Sequence, residues 1–320
     1  MDAGNPSQEV AGGTGNLMPR GLPPVLSRPR SYNSRTINLT RHTQSTNPPE
    51  FRVVHGDPVM VALDYAERGI RVPFICAANR YGPGRRHHDQ RPTYEEDFCD
   101  RSNLFDTLTR TQLDMDSTPL YPILATSGIF SDRVAVYLGL REDNYKNLDP
   151  IPDLPVVSVS PVRNPGVKVK GTKYQYQADE STMREKICGA LRICLHNNYD
   201  RAVIGDFSLG DGFHNPPQTV AEIWRNLLLF DPDLCGQFKS VDFAFVDPMQ
   251  STTQVIWDKR KKTNEGNRAD IPDNAAKKGA SLYTLGESLS SRRAATDMAI
   301  FESVFHPDEV KRVREKAAST

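Results

Sequence analysis

The sequence predicts an α/β fold in which a mixed, largely parallel sheet lies between layers of helices. Three observations carry this reading. Residues 72–78 are a short continuous apolar run, the pattern of a strand covered on both faces, and 156–160 and 240–246 read as further strands, the latter buried. Amphipathic helical spacing recurs between such runs, most cleanly in Met183, Ile187, Ala190, Leu191 and Cys194. Strand and helix patterns also alternate along the chain, as in a sheet sandwiched by helices.

Composition sets the outer limits. The chain has 320 residues, with 40 Lys+Arg against 40 Asp+Glu, so the formal net charge is zero. That balance gives no general affinity for nucleic acid or for an anionic membrane. No apolar run reaches the roughly 18 residues that span a bilayer, and the N-terminus lacks the apolar core of a secretory signal. The five cysteines show no Cys-x-x-Cys spacing and read as free thiols, which places the protein in the cytoplasm or nucleus.

Residues 1–50 are rich in Gly, Pro, Ser, Asn and Arg. With so little apolar surface to bury, they are expected to form a disordered tail ahead of one domain over 51–320. Phe51-Arg52-Val53-Val54 is strand-like, and His55-Gly56-Asp57-Pro58 turns the chain into a helix bearing Val59, Leu63 and Ala66. The apolar run 72–78 gives way to the turn-rich Asn79-Arg80-Tyr81-Gly82-Pro83-Gly84. An acidic helix follows, opened by Tyr94-Glu95-Glu96, whose Phe98, Leu104, Phe105 and Leu108 form one stripe and leave Glu96 able to face a cleft. Residues 134–140 and 156–160 are further strands, and the helix around 183–194 leads into the strand 201–204.

Thr219-Val220-Ala221-Glu222 fits a capping box, starting a helix with Val220, Ile223, Trp224, Leu227 and Leu228 on one stripe. After the strand 240–246, residues of about 250–292 are polar and are expected to be a flexible insertion. Its Lys259-Arg260-Lys261-Lys262 is a nuclear-localisation signal or, more simply, a solvated loop. Met298, Phe301 and Phe305 resume helical spacing and close the domain.

Three segments carry candidate chemistry. The loop 205–217 follows a strand, holds Gly205, Gly210 and Gly212, and enters a helix, a setting in which backbone N–H groups can cradle a phosphate. Its spacing matches neither the Walker nor the dinucleotide fingerprint, and a tight turn also explains it. Glu95-Glu96 has the equipment of a glycosidase, one carboxyl holding sugar hydroxyls while the other moves protons. Acidic residues at a helix start also simply complement the helix dipole. His87-His88-Asp89 lacks a third ligand at a standard spacing and reads as a polar loop rather than a metal site.

Together these segments resemble the microbial-type poly(ADP-ribose) glycohydrolases. Asn79…Gly82-Pro83-Gly84 with Glu95-Glu96-x-x-Cys99-x-x-Ser102 is similar to that family's Gly-Gly-Gly…Gln-Glu-Glu-x-x-Cys-x-x-Ser signature, and Gly205…Gly210-Asp211-Gly212-Phe213 to its second ligand loop. The resemblance implies a three-layer α/β/α macrodomain-like fold and hydrolysis of the ribose–ribose bond of poly(ADP-ribose), without a cofactor. It implies that Glu96 is the acid/base and that Glu95 orients ribose hydroxyls. It further places Gly205, Gly210 and Gly212 along the pyrophosphate, Phe213 near the distal ribose and Asn79 beside it, with Gly82 and Gly84 also binding ligand. The implied partner is ADP-ribose or its polymer on modified proteins, with no membrane and no direct nucleic-acid contact. The alternative is a catalytically weak or inactive module that only binds ADP-ribose. The chain departs from the pattern at Pro83, at Arg85-Arg86-His87-His88, at Tyr94 in place of Gln, and at Asp206 and Asp211 within the second loop.

Overall fold

The structure, a computed structural model, describes residues 28–39, 47–84, 93–110, 119–168, 171–269 and 293–319. Among them the chain runs β1 (Arg30–Asn33), β2 (Glu50–His55), α1 (Pro58–Glu67), β3 (Phe74–Ala77), α2 (Tyr94–Arg101) and α3 (Leu104–Arg110). It continues through β4 (Ser127–Ala135), β5 (Asp153–Val159), α4 (Gln177–His196), β6 (Arg201–Ile204), α5 (Pro217–Phe230) and β7 (Ser240–Phe245). It ends with α6 (Thr252–Ala269), α7 (Asp297–Phe305) and α8 (Pro307–Ala318).

The sheet order is β1-β4-β5-β3-β6-β7-β2. From β5 to β2 every neighbour is parallel, while β4 and β1 are antiparallel, so the sheet is mixed and largely parallel as expected. Alternate residues of each strand feed different cores. Ile75, Val157, Val159 and Ile204 face α4, α5 and α7, where Ile187, Trp224 and Phe301 are buried. Phe74, Cys76, Val156 and Val203 face α1, α2 and α3, with Val59, Phe98 and Leu108. This is the three-layer α/β/α arrangement, and its central strands β3 and β6 are mostly apolar because both faces are covered.

Four expectations are corrected. Residues 30–33 are not part of a free tail: β1 pairs with β4 from Arg30↔Phe130 to Asn33↔Ser127, satisfying an otherwise open sheet edge. The strand placed at 134–140 is β4, which begins at Ser127 and ends at Ala135. The stripe through Phe105 breaks because Ser102 is extended (φ −144°, ψ 177°), so Phe98, Leu104 and Leu108 are buried while Phe105 is exposed. The Thr219–Glu222 capping box does not form. The helix starts at Pro217, a residue suited to a first turn, and the Thr219 hydroxyl donates instead to Thr172 O at 2.9 Å.

The insertion expected at 250–292 begins as α6, with Ile256 buried and the Arg260 guanidinium donating to the carbonyls of Val167 and Lys168. Its remainder at 270–292 lies outside the described residues. The chain then returns through α7, whose Phe301 and Phe305 rings lie 5.1 and 4.5 Å from that of Phe243. Burying such a ring contributes about 1.5–3 kcal/mol, which makes α7 part of the core rather than an appendage. One further helix, α8, is largely exposed and buries only Val310.

Candidate functional site

Ligands of open α/β sheets bind beyond the carboxyl ends of the parallel strands. Here three neighbouring strands, β5, β3 and β6, end together and release the segments 160–164, 78–84 and 205–216. Two clefts open among them, of about 640 and 180 Å³. They share Ala77, Thr93 and Phe213 as walls.

Glu96 lines the larger cleft. It is the third residue of α2, and its Oε2 accepts from the Thr93 backbone N–H at 2.9 Å in a capping box. That bond fixes the side chain and leaves Oε1 without a hydrogen-bond donor among the described residues. Glu95 points the other way. Only 1% exposed, it lines neither cleft, and its Oε2 accepts from the Asn79 N–H at 2.8 Å. Its Oε1 is buried with no hydrogen-bond partner. Burial pushes the Glu95 carboxyl up to about 8, against the pull of the Asn79 and Gly84 amides and reinforced by the charge of Glu96. The two adjacent carboxyls therefore differ in environment: Glu95 holds its proton to higher pH than a free carboxyl and anchors the 79–84 turn, while Glu96 meets the cleft.

The turn itself is fixed by its neighbours. Gly84 takes φ +55°, with the Cys99 Cβ and Sγ 3.4 Å from where a Cβ would sit. Pro83 is buried, whereas Asn79, Arg80 and Tyr81 line the larger cleft. Gly82 and Gly84 line neither cleft, and His87, His88 and Asp89 lie outside the described residues.

Tyr94, which stands where the resemblance has Gln, lines the smaller cleft and is held in place by packing and a polar network. Its ring packs edge-on to Phe74 at 5.5 Å, and its hydroxyl donates to Asp57 Oδ2 at 2.8 Å. Arg101, also buried, donates to the same oxygen at 2.8 Å and lies 2.8 Å from Asp97 Oδ2. Asp57 in turn caps α1 by accepting from Met60 N at 3.0 Å. This network holds α2 against α1 and thereby positions Glu96.

The loop after β6 meets the clefts only in part. Gly210, Gly212 and Phe213 line the smaller cleft, whereas Gly205 is packed against α1, where a Cβ would lie 3.3 Å from Pro58 Cγ. Gly210 takes φ +72°, and its N–H donates to Thr252 Oγ1 at 2.7 Å. Thr252 donates from Oγ1 and N to Asp297, at 2.6 and 2.9 Å. Burial raises the Asp297 carboxyl to about 6. The loop is thus tied to the start of α6 and of α7, on either side of the insertion.

Sequence reasoning missed the segment after β5 and the polar face of α4. Arg163 Nε donates to Gly212 O at 3.0 Å, Asn164 N to Phe213 O at 2.8 Å, and Asn215 Nδ2 to Val162 O at 2.7 Å. Together they bolt 162–164 to the second loop. His214, at φ +59°, lies 2.6 Å from Asn164 Oδ1 and 3.1 Å from Asp211 Oδ1. Burial and then Lys259 lower its pKa, against the pull of Asp211. The position of residues 160–164 at the end of a parallel strand was the available signal. For Thr182 and Lys186 there was none beyond their place on a helix.

No family model and no curated protein sequence matches the chain. Solved structures do. Poly(ADP-ribose) glycohydrolase from Thermomonospora curvata is 21% identical, with a TM-score of 0.56 over 72% of this chain and 85% of that one. The same enzyme bound to the inhibitor ADP-HPD is 18% identical, with a TM-score of 0.53 over 72% and 84%. A mutant poly(ADP-ribose) glycohydrolase from Deinococcus radiodurans, in complex with ADP-ribose, is 19% identical, with a TM-score of 0.53 over 77% and 100%. The likeness is one of fold: this chain has the macrodomain-like α/β/α architecture of the microbial poly(ADP-ribose) glycohydrolases.

Proposed function

We propose that the protein is an ADP-ribosyl glycohydrolase that hydrolyses the ribose–ribose O-glycosidic bond of poly(ADP-ribose), or a related ADP-ribosyl linkage, with Glu96 as acid/base. The observation that carries the reading is the Glu96 carboxyl in a cleft of about 640 Å³, walled also by Phe213 and Asn79, while Glu95 is withdrawn from it. The fold shared with solved glycohydrolases, one of them holding ADP-ribose, supports it.

In this reading the ADP-ribosyl unit lies across both clefts, its distal ribose against Phe213 and Glu96 and its pyrophosphate toward Gly210 and Gly212. Glu96 donates a proton to the leaving oxygen as the bond to the anomeric carbon breaks. Positive charge spreads between that carbon and the ring oxygen. A water then adds to the carbon and returns its proton to Glu96. Glu95 orients by its hold on Asn79, which lines the cleft, rather than by reaching the sugar.

A second reading, an ADP-ribose-binding module without turnover, has one observation in its favour: Asp206 and Asp211 line the smaller cleft and oppose an anion there. Incubation with poly(ADP-ribose), read as free ADP-ribose released, separates the two. The first reading expects release; binding of ADP-ribose without release supports the second. Absence of both binding and release removes both.

A further inference from the structure

The largest unexplained charge in the site belongs to Lys186. Asp179, Thr182 and Lys186 recur at helical spacing on α4, so one face of that helix forms a wall of the larger cleft. Lys186 is 8% exposed and makes no hydrogen bond or ion pair with any described residue. Its stem is packed away while the ammonium, without an acceptor, opens on the cleft. Arg80 lines the same cleft and repels it; burial and then Arg80 lower the Lys186 pKa to about 8. Arg163 is a third cation on this cleft, its guanidinium 5.7 Å from the centre of the Phe213 ring. Against these stand Glu96 and Asp179. The smaller cleft has the opposite character, with Asp206 and Asp211, the latter 3.5 Å from Lys259. Lys186 is no wall of that smaller cleft.

We propose that Lys186, assisted by Arg80, binds a phosphate or pyrophosphate group in the larger cleft, on the α4 side of Glu96, and so selects substrates whose departing part is itself anionic. A chain of ADP-ribose units has this chemistry, since the unit beyond the cleaved bond carries its own pyrophosphate. The selection rests on the glycohydrolase reading, whereas the anion site stands on the cavity and its charges. An anion there supplies the acceptor that Lys186 lacks and screens it from Arg80. Charge-assisted hydrogen bonds are the strong class, and the loss of one costs about 10- to 100-fold in affinity.

The test is calorimetric titration of the full-length protein with inorganic pyrophosphate at pH 7. Lys186→Met is expected to weaken binding about 10- to 100-fold, and Lys186→Arg to restore most of it. Unchanged affinity in Lys186→Met, or no binding to the wild type, overturns the proposal. Lys186→Met keeps the packed stem and removes a charge that Arg80 repels, and should melt no lower than the wild type. If it fails to fold, the exposed Arg80→Ala gives a second reading and must also weaken binding. A repeat with saturating ADP-ribose locates the group. Pyrophosphate still binding through Lys186 supports a site for the departing unit, and its displacement overturns that assignment. If pyrophosphate binds through Lys186 but the polymer is never cleaved, the glycohydrolase reading falls and the anion site stands.

Discussion

Glu95 offers the sharpest quantitative prediction. Its carboxyl is raised from its ordinary 4.5 to about 8 by burial, so the native state keeps a proton that the unfolded chain gives up above about pH 4.5. The sign follows from linkage. The stabilisation is fully present below the unfolded value and is lost as pH rises through the folded value near 8. At about 1.36 kcal/mol per pH unit, the whole interval amounts to roughly 3–5 kcal/mol. Glu95→Gln keeps the shape and a carbonyl able to accept from Asn79 N–H, but cannot ionise. Urea unfolding of both proteins from pH 4.5 to 9 measures the effect. The variant is expected to match the wild type near pH 4.5 and to gain on it steadily, by several kcal/mol at pH 8 and above. A difference that stays constant across that range refutes the buried, proton-holding role of Glu95.

Three other substitutions probe the frame around the site. Gly210→Ala must place a Cβ 2.9 Å from Gln250 Oε1 at φ +72°, and is expected to cost about 1–3 kcal/mol in urea unfolding. Arg101→Met leaves Asp57 and Asp97 without their buried cation, and should destabilise by about 3–5 kcal/mol in the same assay. Asp297→Ala removes the acceptor of Thr252 N, Thr252 Oγ1 and Gln250 Nε2, at an expected cost of about 2–4 kcal/mol. Because Thr252 also holds Gly210, hydrogen exchange at the Gly210 amide should speed up in Asp297→Ala while that of β5 does not.

The central layers were legible because their strands are covered on both faces. Residues 201–204 and 240–245 are short, rich in Val, Ile and Phe, and lie between turns, which favours strands. The edge strand β1 was hidden for the opposite reason. Arg-Ser-Tyr-Asn carries no apolar alternation, and it is a strand only because β4 offers an open edge. Phe105 was placed on an apolar stripe because helical spacing cannot see a break in the backbone at Ser102. The Thr219-x-x-Glu222 pattern also matches a capping box that does not form, whereas among the described residues Thr93 with Glu96 does. In the site, helical spacing left Glu96 facing a cleft, as it does, but the burial of Glu95 against the Asn79 turn was not readable, since it depends on what the folded chain places around that residue. Lys186 was silent for a similar reason: a lysine on an amphipathic helix reads as solvated, and only the cleft over α4 shows that it is buried.

One comparison tests Glu96 directly: release of free ADP-ribose from poly(ADP-ribose) by the wild type and by Glu96→Gln, with ADP-ribose binding measured on the same two samples. Gln keeps an oxygen for the Thr93 N–H but cannot deliver a proton, so binding should persist while release falls by at least about 100-fold. Equal release by the two proteins contradicts Glu96 as the acid/base, and places the chemistry elsewhere in the cleft.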